Sequence, residues 1–192
     1  MIGPATVGLQ AAAGPTIFQF PPLQFGPRTP LGTIPHFLDR LANFLDRLPK
    51  GPLIAAELRN AEIIENHAPQ YAEALRNTST LHGFVAHPTM PTVARQAALL
   101  ANAGTDPASQ PLCLRWLLKT DQTYTGAKSR YEPFNAIIDD DTPTRSQVAD
   151  LIIRATGSGR SSFIVVNNKA EGSAPLTVER LASTLSPPDA DA

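Results

Sequence analysis

Glu57 and Arg59 stand two residues apart in the run Leu53-Ile54-Ala55-Ala56-Glu57-Leu58-Arg59. In a β-strand, residues two apart share a face, so Ile54, Ala56 and Leu58 line one side and Ala55, Glu57 and Arg59 the other. A second run, Leu112 to Leu118, puts Leu112, Leu114, Trp116 and Leu118 on one face and Cys113 and Arg115 on the opposite one. If both apolar faces meet helices, Glu57, Arg59 and Arg115 point to a common interior. An unpaired ion there costs several kcal/mol, so these three should pair with one another or meet a ligand. Glu57 would then be the candidate general acid/base, and the two arginines a clamp for a carboxylate or phosphate. The same cluster reads equally well as a salt-bridge network that fills a barrel. In the run Thr16 to Phe20, Phe18 and Phe20 facing helices would turn Gln19 to that interior as a further ligand contact.

Other polar residues carry weaker chemistry. Asn167, Asn168, Lys169 and Glu171 follow an apolar run, where a loop could present amides and charge to a ligand; a turn completed by Gly172 explains them as well. His82 and His87 flank Leu81 to Ala86 and with Glu57 could be imagined around a metal, but no HxH or HExxH spacing supports one. His36 and His67 fall in or beside helical segments and read as solvated. Asp139-Asp140-Asp141 reads as an acidic loop before a helix N-terminus, and Cys113 as a small buried hydrophobe. The residues name no cofactor.

The elements that must position these residues follow from periodicity. Strands are expected at Thr16 to Phe20, Leu53 to Leu58, Leu81 to Ala86, Leu112 to Leu118 and Phe163 to Val166. Helices are expected at Pro35 to Leu48, Pro69 to Arg76, Val93 to Ala103, Ser146 to Ala155 (Thr144 available as cap, Gly157 as stop) and Thr177 to Leu185. This alternation is the pattern of βα units around a parallel sheet. Residues 1–14 read as a loose lead-in without the basic start of a signal peptide, 15–186 as the domain, and 187–192 as a disordered tail.

The net charge is -1 with both signs mixed along the chain, which leaves no basic footprint for nucleic acid. One cysteine allows no internal disulfide and no thiolate zinc site, so a reducing cytoplasm is the simplest compartment. No stretch approaches the roughly 18 apolar residues of a membrane span, and no membrane partner is expected.

Several segments resemble those of the YecE-like family (domain of unknown function 72). Phe18-Gln19-Phe20-Pro21-Pro22 is similar to its strand ending in Gln-x-Pro-Pro, and Ala56-Glu57-Leu58-Arg59-Asn60 to its Glu-Phe-Arg-His/Asn strand. Met90-Pro91, Leu114-Arg115-Trp116, Tyr131-Glu132-Pro133-Phe134 and the segment Val166 to Pro175 follow in the family's order, the last being the most specific. The resemblance implies a TIM-type (β/α) barrel, in which strand C-terminal ends build the site, and it favours a functional reading of Asn167 to Glu171. The family's Gly-Thr-Ser-Gly-Trp strand and the next two βα units have no counterpart, so the expected fold is α/β, a partial TIM-type barrel of about five parallel strands, open where the first three units are missing. Such a sheet exposes edges, which leaves a truncated product, a partner chain that completes the sheet, or a rearranged open α/β fold; truncation fits best. Three functions are compatible: an enzyme-like barrel binding a small anionic or sugar-like ligand, with hydrolytic or isomerising acid/base chemistry as its loosest expectation; a non-enzymatic binding or assembly module; or an inactive fragment.

Overall fold

A computed structural model describes residues 2–186; the tail expected at 187–192 lies outside the described residues. The chain runs α1 (Ile2–Leu9), a 3-10 turn, β1 (Thr16–Phe20), α2 (Ile34–Asp46), β2 (Ile54–Leu58), α3 (Ala61–Asn66), α4 (Ala68–Thr78), β3 (Leu81–Ala86), α5 (Val93–Asn102), a second 3-10 turn, β4 (Leu112–Trp116), α6 (Tyr124–Tyr131), α7 (Thr142–Gly157), β5 (Ser162–Val166) and α8 (Ala174–Leu185). The five strands form one sheet in the order β1-β2-β3-β4-β5, and every neighbouring pair is parallel. Parallel neighbours need a crossover, and the helices supply it. The fold is therefore an open α/β sheet consistent with part of a (β/α) barrel.

Strand alternation sorts the two faces as expected. Ala56, Leu58, Leu112, Leu114 and Trp116 join the large core with Leu38, Leu41, Leu45, Tyr71, Leu75, Leu100, Val148 and Leu151 from the helices. Ala55, Leu81 and Cys113 form a second, smaller apolar layer on the other face, beside Ile17 and Leu53. Phe18 and Phe20 make edge-to-face contacts with Phe44 and Phe37 of α2, at 5.3 and 6.2 Å between ring centres. That contact turns Gln19 to the inner face.

Three local features differ from the expectation. The lead-in is helical over Ile2–Leu9, and α3 and α6 are helices where periodicity gave none. Both are short, six and eight residues, too few for an amphipathic stripe to show. Asp141, not Thr144, caps α7: its carboxylate accepts from the Thr144 amide, and Pro143 sits in the first turn where its missing N–H is harmless. Among the described residues, no helix is long and apolar enough to cross a membrane.

His82 faces the helices. Gln96 donates from Nε2 to Val85 O and Pro91 O, which leaves its Oε1 to accept from His82 Nε2–H at 3.2 Å. His82 Nδ1 lies 3.0 Å from Tyr71 Oη, a hydroxyl that also has Ala56 O as an acceptor at 3.2 Å. Burial lowers the His82 pKa to about 4, against a smaller opposing effect of the Gln96 hydrogen bond. An unfolded histidine binds its proton near 6.5, so between those values the unfolded state holds more protons. Stability from this residue is thus full above 6.5 and lost as pH falls toward 4, by roughly 3 kcal/mol at 1.36 kcal/mol per pKa unit. Urea unfolding at about pH 7 and about pH 4.5 should show a larger loss for the native chain than for His82→Gln; equal losses would rule out His82 as the source.

Candidate functional site

The inner face changes character toward the C-terminal ends of the strands. Below lie Ile17, Ala55, Leu81 and Cys113; above, in the next layers, come Gln19, Glu57, Arg59 and Arg115. Gln19 and Glu57 are register partners on β1 and β2. Gly83 of β3 is their neighbour: a Cβ there would stand 3.1 Å from Glu57 Cβ and 3.2 Å from Ala56 O. Glycine at this strand position leaves room for the Glu57 side chain, the usual meaning of glycine inside a strand.

Glu57 is fully buried. Its Oε1 accepts from Arg59 Nε at 2.6 Å and its Oε2 from Arg115 Nη1 at 3.0 Å. The Arg115 Nη1 also donates to Gln19 Oε1 at 3.1 Å, a link between β1 and β4 that a flat sheet could not make, so the sheet curls around this cluster. Both carboxylate oxygens thus meet a guanidinium, the compensation that a buried carboxylate requires. Beyond these bonds, the remaining N–H groups of Arg59 and Arg115 have no protein hydrogen bond among the described residues. Asn60, next to Arg59, holds the loop after β1 over the rim by a paired bond with the Leu23 backbone at 2.8 and 2.9 Å.

Cys113 lies in the apolar layer beneath. Burial first, and then the Glu57 charge, push its thiol up to about 11. It is a protonated, inert side chain at neutral pH.

The segment after β5 is built differently. Asn167 Oδ1 accepts from the Lys169 amide at 2.9 Å, and Asn168 Oδ1 from the Ala174 amide at 2.8 Å, which closes a turn and ties it to the start of α8. Glu171 is fully buried; its Oε1 accepts from the Asp141 amide at 2.7 Å and from Arg145, which also pairs with Asp140. Arg145 first, and Thr142 with it, hold the Asp140 carboxyl down to about 2. The Glu171 carbonyl accepts from the Ile138 and Asp139 amides, and Gly172 sits at φ +123° where a Cβ would fall 2.4 Å from Ala136 O. Asn168 and Glu171 therefore hold the loop before α7 against the loop before α8. Of the four residues, Lys169 alone ends on aromatic rings, its Nζ 4.4 Å from the centre of Tyr124 and 5.7 Å from that of Phe134.

His82 and His87 do not converge on Glu57 as a ligand set: His82 is on the helix side, and His87 caps the end of β3 with its Nδ1 turned to Thr89. Among the described residues, no group of three or more His, Cys, Asp or Glu is placed to hold a metal ion. Sequence reasoning missed Gly83 and Arg145. Glycine between Leu81-His82 and Phe84-Val85 was a visible signal; Arg145 in an ordinary helix was not.

An open parallel sheet with a charged cluster at its C-terminal ends and helices outside defines an α/β protein of the partial-barrel kind. The chain belongs to the family described as Protein of unknown function DUF72, whose model matches residues 4–191. Two crystal structures of DUF72 family proteins have the same fold. The one from Thermotoga maritima MSB8 superposes with a TM-score of 0.59 at 13% identity, covering 96% of this chain and 64% of its own. The one from Enterococcus faecalis V583 gives 0.54 at 13% identity, covering 88% and 59%. The chain thus spans about three fifths of the length of these relatives. A comparison with curated proteins finds no match.

Removing the Glu57 carboxylate would leave two guanidiniums side by side without a counter-ion. Glu57→Ala is expected to lose roughly 3 to 5 kcal/mol of stability, the range for breaking a buried ion pair. Chemical denaturation measures it, and a loss under about 1 kcal/mol would mean that Glu57 does not hold the arginines.

Proposed function

We propose that the cluster of Gln19, Glu57, Arg59 and Arg115 is the binding site for a small anionic or sugar-like ligand at the C-terminal ends of the strands. The observation that carries this reading is the unused hydrogen-bonding capacity of two guanidiniums that share one carboxylate. One negative charge against two positive charges leaves the cluster cationic, and Arg59 and Arg115 keep 10% and 26% of their side chains open. Guanidinium N–H groups in a half-buried site are strong partners for carboxylate or phosphate oxygens. Asn167 and Lys169, in the loop after β5, contribute from the same end of the sheet, with Asn168 and Glu171 holding that loop in place.

Glu57 in this reading orients the arginines. Acid/base work by Glu57 would need one arginine to turn toward the ligand first, since both of its oxygens are engaged. The lone, buried Cys113 suits a reducing compartment such as the cytoplasm. Titration calorimetry with sulfate checks the site: the native chain should bind, and Arg115→Gln should weaken binding at least about ten-fold, the worth of one charge-assisted bond. Unchanged affinity in Arg115→Gln would place the anion elsewhere.

A second reading is an assembly module whose open sheet edge recruits a partner chain. It is favoured by Val165, 49% exposed on the inner face of edge strand β5, and by Gln19 exposed on edge strand β1. Unpaired edges are templates for strand addition. Sedimentation velocity over a wide concentration range should show self-association if the partner is a second copy; a monomer throughout removes that version.

A further inference from the structure

Among the described residues, His87 is a half-buried titratable side chain near Arg59 that the carboxylate of Glu57 does not bond. Alternation carried one residue past β3 puts it on the face of Gly83 and Val85. The strand register makes Val85 the neighbour of Arg115 on one side. On the other, the offset Ala55↔Leu81 brings Val85 level with Arg59. His87 therefore stands one step above the layer in which Arg59 and Arg115 flank β3.

The ring is oriented by its own turn. The Thr89 amide donates to Nδ1 at 3.2 Å, and the Thr89 hydroxyl is 2.9 Å from the same atom. An Nδ1 that accepts an amide proton fixes the neutral tautomer with its hydrogen on Nε2. Nε2 has no hydrogen-bond partner among the described residues. On protonation, Nδ1–H can donate to the Thr89 hydroxyl, at the loss of the bond that Nδ1 accepts from the Thr89 amide.

Resting on the anion-site reading above, we infer that His87 is the third anion-binding group, which with Arg59 and Arg115 receives a tetrahedral oxyanion, a phosphate or sulfate group, and takes up a proton when it binds. Three donors brought by β2, β4 and the end of β3 suit a group with several oxygens better than a flat carboxylate, whose two oxygens the arginines alone would satisfy. The charges acting on His87 come from β2: burial first and then Arg59 lower its pKa, while Glu57 opposes them. Arg115 flanks the same layer from β4. A bound dianion cancels the arginine charge and adds its own, so the protonated ring is favoured in the complex. By linkage, affinity then rises as pH falls.

Sulfate is the suitable probe, because it stays a dianion across the range in which histidine titrates, whereas phosphate changes charge there. Sulfate binding by calorimetry at about pH 8 and about pH 5.5 should be about ten-fold tighter at the lower pH in the native chain, one pKa unit of coupling. His87→Gln should bind with the pH 8 affinity at both values. The chain has four histidines, so the His87 imidazole resonance can be assigned by its loss in the variant, and its titration midpoint should move up when sulfate is added. Sulfate binding with the same pH dependence in the native chain and in His87→Gln, or a midpoint that does not move, would overturn the role of His87 and leave the arginine site standing. No sulfate binding by the native chain at either pH would overturn the arginine site, and this inference with it.

Discussion

The inner half of this molecule is organised by a carboxylate that could not be where it is alone. Glu57 has no exposed surface, and a charge so placed is tolerable only because Arg59 reaches back from the same strand and Arg115 comes across from β4. The pairing does more than neutralise. It ties β2 to β4 over the top of β3, where Gly83 supplies the missing volume, and through Gln19 it reaches β1 as well. Four strands are thereby drawn into a curve by side chains at one end, while Ile17, Ala55, Leu81 and Cys113 fill the space beneath. Polar rim and apolar floor are parts of one arrangement: the floor excludes water and strengthens the ion pairs, and the rim fixes how far the sheet curls.

The same solution is used again at the far side of the sheet. Glu171, also fully buried, draws Arg145 from α7 and the Asp141 amide from its N-terminus, and Arg145 passes the link to Asp140, which Arg180 of α8 meets at 3.1 Å. Here the guanidinium is consumed by two carboxylates and joins two helices to two loops. The two clusters differ in their charge balance. One carboxylate between two arginines leaves a net positive charge, whereas Glu171 and Asp140 balance Arg145 and Arg180.

The strands' inner face is unevenly covered. The central strands β2 and β3 are buried along their length, whereas Gln19 on β1 and Val165 on β5, both inner-face positions, are exposed. The relatives of known structure, which this chain covers over about three fifths of their length, share the fold of the part that matches. Exposure of this kind follows from an open sheet, since each edge strand has one hydrogen-bonded neighbour.

The sequence alone was enough to specify the five strands and their inward and outward sides, because alternation of period two is written directly in Leu112-Cys113-Leu114-Arg115-Trp116 and in Ile54 to Leu58. It was enough to nominate Glu57, Arg59 and Arg115, because charges on the polar side of an apolar strand have few places to go. It could not separate Asn168 and Glu171 from the ligand-facing candidates, since whether a loop carboxylate meets solvent or a buried arginine depends on a helix 26 residues away in the chain. Nor could it tell that His82 and His87, five positions apart, lie on opposite sides of the sheet with different partners: one meets Tyr71 and Gln96, the other Thr89. Local pattern determines which way a side chain points, whereas its partners come from strands and helices brought alongside by folding, and only the tertiary structure decides those.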